Sequence, residues 1–185
     1  MDHSDAPQSA TRKFAFFGPS DKHFVTEGGF CISVFAIIRK KGNVLLVKPR
    51  QHPRWQEWAP NWRVYESKSL TAEIGKCRIP STYVREGEAP EDGLRRVMED
   101  QLGVSQYSAG SSLLLNFYEP SRRYPGKMHW DYCFVFEVST KEEMSEKPWL
   151  AEVTSVDPSG ARPELGSSHG EILERVGSVW RERLQ

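Results

Sequence analysis

The sequence has no surplus of either charge: 25 lysines and arginines stand against 25 aspartates and glutamates in 185 residues. A chain so balanced offers no general positive field to gather nucleic acid or an anionic membrane, so neither is expected as a partner. No apolar run approaches the ~20 residues of a membrane span. The N-terminus, MDHSDAPQSATRK, lacks both the cationic start with apolar stretch of a secretion signal and the basic amphipathic pattern of a transit peptide. Cysteine is scarce. Cys31, Cys77 and Cys133 are widely spaced and form no CxxC pair, which argues against structural zinc and for buried thiols in a reducing, cytoplasmic setting. Internal repeats, low-complexity tracts, a P-loop, a dinucleotide-binding glycine motif and a Ser/His/Asp order are all missing.

What is present fits one globular domain, with 38% apolar and 27% charged residues. Residues 1–27 read as a loose leader around the short apolar patch KFAFFG, with room for one docked strand; the domain proper runs 28–185. GFCISVFAII, RKKGN and NVLLVKPR spell two strands and a glycine-containing hairpin turn. Neither run alternates cleanly, so both strands are expected to be covered on two faces. Residues 51–76 hold Trp55, Trp58 and Trp62 and show no sustained period. This long loop either packs its indoles on the domain's flank or forms a lid on which a planar base stacks. Further strands are expected in SSLLLNFYEP, KMHWDYCFVFEVS and WLAEVTSV, giving a mixed or antiparallel sheet. A closing amphipathic helix begins near Ser168 and Glu171 and carries Ile172, Val176, Val179, Trp180 and Leu184.

The stretch REGEAPEDGLRRVMEDQLGV, 85–104, predicts a helix over 90–102. Pro90 suits a first turn, Glu91 and Asp92 suit the positive end of the helix dipole, and Gly103 suits a left-handed C-cap. The order of hairpin, loop, glycine-glutamate turn, acidic helix, strands and final helix resembles the Nudix superfamily. That family's box reads glycine, five residues, glutamate, seven residues, then Arg-Glu-U-x-Glu-Glu-x-Gly-U, where U is a bulky aliphatic. Aligned over 82–104, Glu88, Arg96, Met98, Gly103 and Val104 match, with Gly87 and Pro80 at customary flanking places. The resemblance implies an α/β fold, an α/β/α sandwich around a mixed sheet. It also implies a metal-dependent hydrolase of nucleoside diphosphate derivatives using Mg²⁺ or Mn²⁺.

The departures fall on the chemistry. Ser81 and Thr82 stand where glycines are usual, Val97 replaces the glutamate after the arginine, and Asp100 and Gln101 replace the paired glutamates. Residues four apart share a helix face, so 97 and 101 would form the metal cradle, with 100 on its flank. Mg²⁺ needs hard oxygen ligands; valine supplies none and glutamine only a neutral carbonyl. Leu94, Val97, Met98 and Leu102 instead make an apolar stripe, while Arg96 and Asp100 stand at an ion-pairing interval.

The leading expectation is therefore a Nudix-like module that binds a nucleotide-like or other small phosphorylated ligand with little hydrolysis. The alternative is a hydrolase with relocated ligands: Glu88, Arg96 and Asp100 as catalytic residues, and Glu88, Glu99 and Asp100 on the metal, aided by Glu86, Asp131 or Glu137. A protein-interaction module using the tryptophan loop is a third reading. Candidate ligand-binding residues are Ser81 and Thr82, whose hydroxyls suit a phosphate, Trp62, and Arg122 and Arg123 in the loop SRRYPGK. His129 and His169 read as hydrogen-bonded structural residues. Self-association as a homodimer stays open.

Overall fold

The computed structural model describes residues 16–17, 28–59, 74–121, 124–144, 147–157, 163–166 and 168–182. The leader contributes β1 (Phe16–Phe17), paired antiparallel with the start of β2 (Phe30–Lys40). A two-residue turn joins β2 to β3 (Asn43–Pro49). Lys41 and Gly42 there have φ of 51° and 85°, the mirror-image turn whose twist suits a hairpin and which glycine enters without steric cost. Residues 34–38 and 44–47 are continuously buried, as expected for strands covered on both faces.

The sheet runs β5 (Tyr107–Pro120), β6 (Met128–Thr140), β2, β3, β7 (Leu150–Val156), with β1 and β4 (Ser81–Tyr83) also paired to β2. β2 and β6 are parallel and the other pairs antiparallel, so the sheet is mixed. Side chains alternate along β2 between two cores. Val34, Ala36 and Ile38 join Leu94, Val97, Met98 and Leu102 on one face. Phe35 and Ile37 join Ile172 and Val176 of the final helix, α3 (His169–Glu182), on the other. The architecture is the α/β/α sandwich. Trp62 and Leu184 lie outside the described residues.

The boxed helix differs from a uniform α-helix. It is α-helical as α2 (Pro90–Arg95) and then widens into a π-helical turn over Arg96–Gln101, with Leu102 N–H donating to the Val97 carbonyl five residues back at 3.1 Å. Gly103, φ 70°, ends it in the left-handed conformation. Gly93 lets the helix lie against β2, since a Cβ there would meet Val34 Cγ2 at 3.0 Å.

Within the tryptophan loop a short helix, α1 (Trp55–Trp58), appears. Trp55 and Trp58 are 2% and 1% exposed, so these two indoles pack on the domain's flank and form neither a lid nor an aromatic contact patch. Trp55 Nε1 donates to the Trp149 carbonyl at 2.9 Å, and the Trp58 and Trp149 rings lie 5.5 Å apart. The Arg54 guanidinium stands 4.4 Å from the Trp149 ring centre, a cation–π contact that closes the stack.

Candidate functional site

Arg96 and Glu88 are brought together, and the helix–strand junction is built on them. The Arg96 guanidinium donates from Nε to Glu88 Oε1 at 2.9 Å and from Nη2 to Glu88 Oε2 at 2.7 Å, a bidentate pair. It also reaches Thr82 Oγ1 at 3.1 Å and the Tyr83 carbonyl at 2.7 Å. Glu88 Oε2 accepts the Arg85 N–H at 2.8 Å as well. These contacts tie the turn, β4 and the helix into one unit. The expected Arg96–Asp100 pairing does not form: Arg96 is buried and turned inward to Glu88, while Asp100 is exposed.

At the two positions where the family carries glutamates, Val97 and Gln101 are both 0% exposed. Val97 belongs to the core cluster that also holds Trp55, Trp58 and Trp149. Gln101 Nε2 donates to the Ser81 carbonyl at 3.2 Å, its backbone carbonyl accepts Trp149 Nε1 at 2.9 Å, and its Oε1 is buried with no partner. Trp149 lies 48 residues beyond Gln101 in the chain, and nothing in its local sequence signalled this role.

Ser81 and Thr82 do not converge. β4 pairs with β2 so that Thr82 lies beside Val34 and Ser81 beside Phe35, placing successive side chains on opposite faces. Thr82 is 3% exposed, and its hydroxyl donates to the Trp58 carbonyl at 3.3 Å. Glu86, Glu99 and Asp100 are exposed. Asp131 and Glu137 sit on the α3 face of the sheet, away from α2. Asp131 accepts from Ser33 Oγ at 2.9 Å and Glu137 pairs with Arg39. Arg122 and Arg123 lie outside the described residues, and Lys127 is exposed.

His129 and His169 are both buried. His129 Nε2 is 4.0 Å from Glu119 Oε1. His169 Nδ1 accepts the Ile79 N–H at 3.2 Å, and its Nε2 lies 2.9 Å from Arg78 Nη2.

Burial, followed by the charge of neighbouring Asp131, holds the Cys31 and Cys133 thiols well above their ordinary range; burial also raises Cys77. All three cysteines are free and buried.

Among the described residues no group of three or more histidine, cysteine, aspartate or glutamate side chains is arranged to hold a metal ion. Three positions of the box do not suit a divalent cation, since Glu88 is engaged by Arg96 and Arg85, Val97 has no donor, and the amide of Gln101 faces a carbonyl; Glu99 and Asp100 are the exposed carboxylates beside them. No helix among the described residues is long and apolar enough to cross a membrane.

A search of curated proteins finds no match. Solved structures do match. The MutT protein of Methanosarcina mazei Go1 aligns with TM-score 0.58 and 20% identity, over 84% of this chain and 96% of that one. The ORF135 protein of E. coli gives 0.57 and 15% over 83% and 93%. The MutT NUDIX hydrolase of Burkholderia pseudomallei gives 0.52 and 16% over 80% and 98%. At such identities the likeness concerns the fold. The NUDIX domain family model matches residues 29–176, and with the sandwich, the box register and the Glu88–Arg96 pair in place, the chain belongs to the Nudix family.

Proposed function

We propose that this protein is a Nudix-fold binding module for a nucleotide-like or other small phosphorylated ligand, with little or no hydrolysis of its own. The observation that carries the reading is the burial of Val97 and Gln101 in the tryptophan-lined core, where family hydrolases place carboxylates. A hydrolytic site needs a metal-bound water or a positioned general base, and loss of such a base alone costs ~10²- to 10⁴-fold in rate. Neither side chain provides one.

In this reading Glu88 and Arg96 are structural. Their bidentate pair holds the turn against the helix. For ligand recognition this reading draws on the half-buried Ser81 and on Arg122 and Arg123, and not on His169, which is buried with both ring nitrogens engaged. Phosphate-bearing ligands suit a guanidinium and hydroxyl together.

The test is a thermal-shift panel of nucleotides, sugar nucleotides and inorganic phosphate, with and without Mg²⁺ or Mn²⁺, alongside a pyrophosphohydrolase assay. The expected result is stabilisation by at least one phosphorylated compound independent of metal. Metal-dependent turnover at ~1 s⁻¹ or faster, lost in Glu88→Gln or Asp100→Asn, would establish the relocated-ligand hydrolase instead.

A further inference from the structure

β5 ends the sheet, paired with β6 along one side. It is 14 residues long, and from Tyr107 to Tyr118 it contains no charge and no proline. Edge strands are ordinarily guarded by brevity, charge or proline, because their outward N–H and carbonyl groups template further pairing. The opposite edge obeys this: β7 has 7 residues and carries Glu152, paired with Lys48. Leu114 and Tyr118, the exposed large hydrophobic residues found among the described residues, are each 52% exposed, and both lie on β5. They share one face of the sheet, where Tyr118 adjoins Trp130 at 4.9 Å and Trp130 adjoins Tyr132 at 6.2 Å.

We propose that β5 pairs antiparallel with β5 of a second copy of this chain, about a two-fold axis at Leu114. In that register Leu114 meets its own counterpart, Leu113 meets Leu115, and Ser112 meets Asn116. Apolar residues thus face apolar residues, and a hydroxyl faces an amide. The irregularity between Ala109 and Ser112 interrupts the ladder there, so the pairing is confined to residues 112–116 about the axis. A strand without charge carries no pattern to select a foreign partner. A two-fold pairing, by contrast, supplies complementary backbone donors and acceptors by symmetry. Its own counterpart across the axis covers Leu114. Arg175 donates to the Asn116 carbonyl at 3.2 Å, so pairing exchanges that bond for a ladder bond, which keeps association reversible. The proposal does not depend on whether the boxed site binds or hydrolyses anything.

The full chain is examined by sedimentation equilibrium over a wide concentration range, with Leu114→Lys and Leu114→Glu as variants. Wild type is expected to reach dimer mass and to dissociate on dilution. Each variant alone is expected to stay monomeric, because like charges meet at the axis, and an equimolar mixture of the two regains the dimer. Hydrogen exchange on wild type serves as a readout that needs no variant, with the alternate amides of Ser112, Leu114 and Asn116 slowing as concentration rises. A wild-type monomer at every concentration, a dimer that persists in both variants, or β5 exchange insensitive to concentration would each overturn the assignment.

Discussion

Restoring the family glutamate at position 101 is the sharpest probe of the cradle. In Gln101→Glu the amide that donates to the Ser81 carbonyl at 3.2 Å is lost, and a carboxylate is placed at a site with 0% exposure whose other oxygen already lacks a partner. The lost hydrogen bond costs about 1 kcal/mol. The charge costs more. Fully buried carboxyls rise by ~3 to 5 pKa units, each unit being about 1.4 kcal/mol, so the ceiling is about 4 to 7 kcal/mol. The sign follows from linkage. The folded-state pKa of the new glutamate lies above its unfolded value near ~4.3, so the charge penalty is absent below that pH, when the acid can donate to Ser81. It grows as pH rises, until the folded pKa is passed.

Thermal and urea denaturation of wild type and variant at pH 5 and pH 8, with and without Mn²⁺, measure it. At pH 8 a loss of about 4 kcal/mol corresponds to a melting point lower by about 8 to 16 °C, with a much smaller gap at pH 5 and no selective rescue by the cation. Equal stability at pH 8, or a variant rescued by Mn²⁺ towards wild-type stability, would falsify the claim that position 101 belongs to the core rather than to a metal site.

Three further outcomes are expected. Glu88→Gln strands the Arg96 guanidinium and should lower stability by about 3 kcal/mol in urea titrations, whereas exposed Asp100→Asn should change it by no more than about 0.5 kcal/mol; equal effects would contradict the structural role given to Glu88. Native protein at pH 8 should resist Ellman's reagent and react at all 3 cysteines only after unfolding, since burial keeps the thiols protonated; a fast thiol in the folded state would refute this. The backbone N–H groups of Ser105 and Gln106 and the Ser105 hydroxyl hold the Glu142 carboxyl below its usual range. Its contribution is therefore present above the unfolded pKa and lost as pH falls through the folded one. Accordingly, Glu142→Gln should melt below wild type at pH 7, and the two should converge in acid.

Local patterns made much of this protein legible in its sequence. The hairpin, the closing helix and the left-handed Gly103 follow from strand propensity, helical spacing and glycine's freedom at positive φ. The stripe of Leu94, Val97, Met98 and Leu102 follows from helical period, and all four are buried. The register of the box follows from Glu88, Arg96, Met98, Gly103 and Val104, with Gly87 and Pro80 beside them.

Only the tertiary structure decided how those residues are used. That Arg96 prefers Glu88 to Asp100 depends on the turn folding back over the helix, and the π-helical widening depends on packing that no three- or four-residue spacing encodes. Ser81 and Thr82 look like one hydroxyl pair in the sequence, but β4 pairing sends them to opposite faces. Trp149 comes from a segment distant from Trp55 and Trp58, and their joint packing with Val97 is a matter of contact. A sequence specifies short-range geometry through backbone sterics and periodicity. Which side chains share a solvent-free space is set by long-range packing, and it is packing that buries Val97 and Gln101.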